Sequence, residues 1–110
     1  MTGASTGIGY ATVRRLAAGG WQVWGGVRSS SDSLQIERLD GVSSLRIDVT
    51  DDEQTKTAFG EVADSRGRLG LDLLVVNAGV LVGGPLEYVT PEEWRRQFDV
   101  NVVGVASSIR

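Results

Sequence analysis

The sequence predicts an α/β fold, a parallel sheet with flanking helices, on three observations. Helix-forming and strand-forming segments alternate along 110 residues, which is the pattern of βαβ units. A nearly continuous apolar run, Leu71-Asp72-Leu73-Leu74-Val75-Val76, lies between Gly70 and Asn77-Ala78-Gly79 and suits a strand buried on both faces of such a sheet. A glycine-rich stretch from Gly3 to Gly9 leads directly into the first helix-forming segment.

That segment, Ile8 to Ala18, places Ile8, Ala11 and Leu16 near one face, and Gly19-Gly20 supplies its stop. Trp21 to Val27 is rich in aromatic and β-branched residues and reads as a strand. Ser29-Ser30-Ser31-Asp32 then reads as a turn, Leu34 to Leu39 as a short helix, and Leu45 with Ile47 as a second strand ending near Asp48-Val49. Thr50-Asp51-Asp52-Glu53 has capping-box spacing, with Thr50 as the cap, and predicts a helix from Asp51 that ends before Gly67. Its apolar stripe is Ala58, Phe59, Val62 and Ala63. Thr90-Pro91-Glu92-Glu93 repeats the capping logic with Pro at the first helical position. In the helix that follows, Trp94, Phe98, Asn101 and Val105 share one face.

Composition excludes several functions. The length suits one domain, residues 1–110. The formal charge is −3 and the basic residues are scattered, so no stripe matches a phosphodiester backbone and nucleic acid is not an expected partner. With no Cys and no His, there is no disulfide, thiol nucleophile, Cys/His zinc site or imidazole base. No metal site is expected. The start lacks the basic and apolar parts of a secretory signal, and the longest apolar stretch, Leu71 to Leu86, is interrupted by Asp72, Asn77, glycines and Pro85. No membrane span is expected, and the anticipated location is the cytoplasm.

The chemistry is concentrated in the glycine loop, Thr2-Gly3-Ala4-Ser5-Thr6-Gly7-Ile8-Gly9. Glycines let backbone turn tightly and approach a pyrophosphate, while the free N–H groups at a helix start attract its charge. The spacing is Gly-x-x-x-Gly-x-Gly rather than Gly-x-Gly-x-x-Gly. Taken with Asp48-Val49, Asn77-Ala78-Gly79 and Asn101, in that order and spacing, the chain resembles the short-chain dehydrogenase/reductase family over nearly its whole length. One departure is Val76, where the family commonly carries a second Asn.

The resemblance implies a partial Rossmann-like, NAD(P)-binding domain. By it, Gly3, Ser5, Thr6, Gly7, Ile8 and Gly9 hold the pyrophosphate, Asp48 and Val49 contact the adenine, and Asn77, Ala78 and Gly79 close the site near the nicotinamide ribose. Asn101 matches the catalytic Asn, which helps carry a proton relay. Taken alone, Asp48 is a strand-end carboxylate, Asn77 a turn former and Asn101 an amide at a helix kink.

For the dinucleotide, an acid about 20 residues past the loop would select NAD by bonding the ribose 2′-hydroxyl, whereas a nearby Arg accommodates the 2′-phosphate of NADP. Val23-Trp24-Gly25-Gly26-Val27-Arg28 contains no acid and ends in Arg28, so NADP is favoured over NAD. The resemblance further implies hydride transfer with an alcohol or carbonyl substrate and allows a homo-oligomer. The family's catalytic Tyr precedes a Lys by four residues, but the one Lys, Lys56, is preceded at that distance by Asp52. Tyr10 and Tyr88 lie outside the matching segment, and Ser107 and Ser108 read as helix residues. The family's first strand, between the second and fourth in the sheet, is also missing. Either Trp21 to Val27 pairs directly with Leu71 to Val76, or two inner edges stay open. The expectation is a fragment, inactive alone. The alternatives are a non-catalytic dinucleotide-binding module and an inert truncation.

Overall fold

The computed structural model describes residues 1–110. Helix α1 (Gly7–Ala18) leaves the glycine loop directly and stops where the Gly19 N–H bonds back to the carbonyls of Leu16 and Arg15. Gly20, at φ 85°, turns the chain toward strand β1 (Val23–Val27). Helix α2 (Ser30–Ile36) and strand β2 (Val42–Arg46) follow. The two strands pair in parallel, from Val23 opposite Val42 to Val27 opposite Arg46, so α2 is the crossover of a βαβ unit. Helix α3 (Asp52–Arg66) comes next. The last helix runs as α4 (Pro91–Phe98), a π-helical turn (Asp99–Val103) and α5 (Gly104–Ile109) without a break. The chain is thus α/β, with a short two-stranded parallel sheet flanked by helices.

The core is small. Ala4, Val13, Val23, Val27, Ile36 and Val42 form its buried cluster, gathered from the loop, α1, β1, α2 and β2. Gly25 makes room for it, because a Cβ there would stand 2.6 Å from the Ile36 Cδ1.

Several elements depart from the sequence reading. The serine run is not a turn but the start of α2: the Ser29 hydroxyl accepts from the Asp32 N–H at 3.1 Å and caps the helix. Ser and Asp favour turns and N-caps for the same reason, side-chain bonding to nearby backbone, so the two are alike in sequence. Helix α3 is capped by Asp51, whose carboxylate accepts from the Glu53 and Gln54 N–H groups at 3.0 Å. Thr50 does not cap it, because its hydroxyl donates to Asp48 at 2.7 Å. The Thr90 to Glu93 capping box forms as read.

Leu71 to Val76 is not a strand. It is extended without a ladder partner, and Leu71 and Leu73 are 44% and 49% exposed rather than buried on both faces. It does not pair with β1. Between the two lies the start of the chain: the Met1 N–H donates to the Trp24 carbonyl at 2.7 Å, the Gly26 N–H donates to the Met1 carbonyl at 2.7 Å, and the Thr2 N–H donates to the Val75 carbonyl at 3.0 Å. The first two bonds flank Gly25 as a parallel pair does. A narrow apolar cavity of about 70 Å3 is lined by Met1, Trp24, Ile47, Phe59, Val62 and Leu73 among others. Of the two outcomes anticipated, direct pairing of Trp21 to Val27 with Leu71 to Val76 does not form.

The last helix also turns a different face inward. Trp94 and Phe98 are exposed, their ring centroids 6.4 Å apart, while Gln97, Gly104 and Ser108 are buried. Small residues decide this, since a Cβ on Gly104 would stand 2.7 Å from the Val49 side chain. Ser107 and Ser108 are helical, as anticipated. No helix is long and apolar enough to cross a membrane.

Candidate functional site

The glycine loop is built by close backbone approach. Gly3 and Gly7 adopt φ of 65° and 53°, a region disfavoured for residues with a Cβ. Gly9 is required for a different reason: a Cβ there would collide with the Gly3 carbonyl oxygen and stand 2.7 Å from the Asn77 Nδ2. Asn77 closes the loop from below. Its Nδ2 donates to the carbonyls of Gly3 at 3.0 Å and Thr2 at 3.3 Å, while its own N–H and that of Ala78 both donate to the Thr2 hydroxyl oxygen at 3.1 Å. Thr2 is only 3% exposed. Its role as the acceptor that joins the loop to Asn77 was not read from the sequence, where it served only as the loop's first residue.

Helix α1 starts above this platform with its N-terminus open. Thr6, at the N-cap position, makes no side-chain cap, and the first turn has no acidic residue. By contrast, α2, α3 and α4 are capped by Ser29, Asp51 and Thr90. The open end carries unneutralised N–H groups and the positive end of the helix dipole, an arrangement that attracts anions.

The cleft in front of it is about 310 Å3, within the range of small-molecule sites. The structure brings Gly3, Ser5, Thr6, Gly7, Ile8 and Gly9 to its wall from one side. Arg28, Asp48 and Val49 come from the C-terminal ends of β1 and β2, and Asn77, Ala78 and Gly79 from the end of the apolar run. Those strand ends are where ligands of open α/β sheets bind. Arg28 is exposed and makes no hydrogen bond or ion pair within the protein. Asp48 is engaged instead, its Oδ1 accepting from the Thr50 N–H at 3.0 Å and from the Thr50 hydroxyl. Val27, Ile47, Val80 and Val100 also line the cleft. For Val80 and Val100 the only sequence signal was adjacency to the motifs.

Asn101 stands at the edge of this wall, in the π-helical turn. Its amide bonds Val80 on both sides: Oδ1 accepts from the Val80 N–H at 2.9 Å, and Nδ2 donates to the Val80 carbonyl at 2.8 Å. A Cβ on Gly79 would lie 3.3 Å from the same Oδ1. Asn101 therefore lies against Gly79 and Val80, exposed and outside the cleft lining itself. One turn earlier, Gln97 Oε1 accepts from the Val82 N–H at 3.1 Å.

Two carboxyls held away from their ordinary values fix helix α3. A hydrogen bond from the Ser107 hydroxyl, seconded by Arg110, holds the Asp52 carboxyl below the usual range and ties α3 to α5. Backbone and side-chain hydrogen bonds from Gln54 do the same for Asp51.

Fold and cleft together define a Rossmann-like chain with a cleft at the strand ends. The family model described as short chain dehydrogenase matches residues 1–110, and the chain belongs to that family of oxidoreductases. It is 38% identical over 104 residues to an NADPH-dependent 3-dehydrocapnine reductase of Ornithobacterium rhinotracheale, covering 93% of this chain and 37% of that protein. It is 34% identical over 108 residues to a serine 3-dehydrogenase of Rhizobium radiobacter, covering 96% and 43%. Among solved structures it is similar to an alcohol dehydrogenase of Thermococcus sibiricus complexed with 5-hydroxy-NADP, with TM-score 0.90, 30% identity and coverage of 99% and 48%. It is similar as well to a 3-ketoacyl-(acyl-carrier-protein) reductase of Brucella melitensis complexed with NADH, with TM-score 0.89, 30% identity and coverage of 99% and 45%. The chain thus spans less than half the length of these relatives.

Proposed function

We propose that the cleft is the NADP(H) site of an oxidoreductase that moves a hydride between nicotinamide and an alcohol or carbonyl compound, and that these 110 residues do not turn over alone. The observation that supports this best is the uncapped end of α1 above the stapled glycine loop, with the unpaired Arg28 at the rim of the same cleft. The donor set fits a dinucleotide: N–H groups and a helix dipole for the pyrophosphate, and a guanidinium for a 2′-phosphate. When bound, the nicotinamide would donate the hydride to a carbonyl or accept it from an alcohol. The loop would hold the pyrophosphate, Arg28 the 2′-phosphate, Asp48 and Val49 the adenine, and Asn77 to Gly79 the nicotinamide ribose. Asn101, its side chain anchored on Val80, would serve the proton relay through backbone and water contacts. The relatives' names support a nicotinamide cofactor of either kind, one structure being a complex with NADH and another with 5-hydroxy-NADP. Arg28 and the lack of an acid beside it favour NADP.

Arg28→Ala tests the reading. A guanidinium on phosphate makes charge-assisted hydrogen bonds worth about 1.5–3 kcal/mol, which corresponds to a loss of roughly tenfold to a hundredfold for NADPH. NADH, with no phosphate there, should bind as before. Both should be titrated at one ionic strength, because screening masks the effect at high salt. Equal losses for the two dinucleotides would make Arg28 a structural residue, and no loss for either would leave it a solvated charge.

A further inference from the structure

Gln97 is nine-tenths buried, and its Nε2 is the buried side-chain atom in the protein that lacks a hydrogen-bond partner. An apolar side chain of similar length would fill the same space without leaving a donor unsatisfied. Its other amide atom accounts for its presence, since Oε1 takes the Val82 N–H. Four residues further on, Asn101 takes the Val80 N–H and carbonyl.

The spacings agree. Two residues of extended chain advance about 6.7 Å, and four residues of helix advance about 6 Å. Two amides one turn apart can therefore hold alternate residues of an extended segment that runs antiparallel to the helix. The segment Gly79 to Val82 has no strand partner, so these side chains stand in for a ladder. Val80, held on the first rung, lines the cleft together with Gly79.

We infer that Gln97 is a positioning residue for the nicotinamide half of the cleft, acting through Val82 and Val80 as the second rung of a side-chain ladder begun by Asn101. The inference rests on the dinucleotide reading above. It predicts an asymmetric effect, because the adenine half is walled by Arg28, Asp48 and Val49, which the ladder does not touch.

The test compares wild type, Gln97→Met and Gln97→Glu in the 110-residue chain. Amide exchange at Val82 is measured without ligand, and NADPH and 2′,5′-ADP are titrated separately. Gln97→Met keeps the volume and removes the acceptor. It should speed exchange at Val82 while leaving α1 protected, and should weaken NADPH about two- to tenfold, the fold-change for one neutral hydrogen bond. Binding of 2′,5′-ADP, which lacks the nicotinamide half, should not change. Gln97→Glu, which keeps an acceptor, should restore the Val82 protection. Unchanged exchange at Val82 in Gln97→Met would overturn the ladder. Equal losses for NADPH and 2′,5′-ADP, or none for either, would overturn the positioning role. If wild type bound neither ligand, the dinucleotide reading and the positioning role would fall together, and the exchange data would still decide the ladder.

Discussion

Gly9→Ala should destabilise the chain although Gly9 lies in a helix, where Ala ordinarily improves on Gly by about 1 kcal/mol. The reason is the Gly3 carbonyl, which the new Cβ would overlap, and the Asn77 Nδ2 at 2.7 Å. Neither is the loose end of a flexible chain: one is backbone, and the other is fixed by its bonds to Thr2 and Gly3. Forcing a methyl into such a contact costs about 1–3 kcal/mol, and displacing the Asn77 amide from Gly3 adds about 1 kcal/mol. Against the helix gain, the net loss is about 1–3 kcal/mol. Gly60 is the control. It lies in α3 with nothing within 4 Å of an added Cβ, so Gly60→Ala should stabilise by about 0.5–1 kcal/mol. Urea unfolding followed by tryptophan fluorescence would read both, and each kcal/mol moves Tm by about 4–8 °C in a domain near this size. A Gly9→Ala midpoint equal to or above that of Gly60→Ala would refute the close packing of loop, helix and Asn77.

Asn77→Asp should destabilise by about 1–3 kcal/mol at neutral pH, because a carboxylate would face the carbonyls of Thr2 and Gly3 where a donor now stands. Part of the loss should return below about pH 4, where the acid is protonated and can donate; a urea midpoint difference that ignores pH would count against this. Bonds from the Thr90 N–H and hydroxyl hold the Glu93 carboxyl below its ordinary value of 4.5. A depressed folded value gives stability that is present above the unfolded value and lost as pH falls through the folded one. The advantage of wild type over Glu93→Gln in urea should therefore be full above about pH 4.5 and shrink in more acid solution, and a constant difference would refute the cap. The chain incubated with NADPH and a panel of aldehydes and ketones should show no turnover, since no Tyr stands four residues before Lys56; oxidation of NADPH that survives removal of host reductases would refute that.

What the sequence made legible was what local chemistry decides. The two positive-φ glycines of the loop, the stop of α1 at Gly19, and the Thr90 to Glu93 capping box each depend on a few adjacent residues. Where two neighbours could do the same work, tertiary contacts chose between them: Asp51 caps α3 because Asp48 has already taken the Thr50 hydroxyl. Gln97 was missed for a related reason. Trp94 and Phe98 dominate the helical pattern of that stretch, and nothing local shows that Gly104 and Ser108 let the opposite side approach Val49. The motif residues converge on one cleft, but the bonds that gather them, from Thr2 to Asn77 and from Asn101 to Val80, join positions far apart in the chain.

Those distant bonds explain how the cleft keeps its shape although Leu71 to Val76 is not a strand. A sheet would position Asn77 through a ladder along the whole run. Here the run has a single backbone bond to the chain start, from the Thr2 N–H to the Val75 carbonyl, and then a cluster at its end, where the Thr2 hydroxyl accepts two N–H groups and the Asn77 amide spans two carbonyls. The cluster fixes the loop and the Asn77 to Gly79 segment to each other. It does not fix the apolar run to β1, whose inner edge bonds Met1 and Ala4 instead, and Leu71 and Leu73 stay half exposed. The order of the site is therefore held by side-chain bonds between distant residues rather than by a ladder.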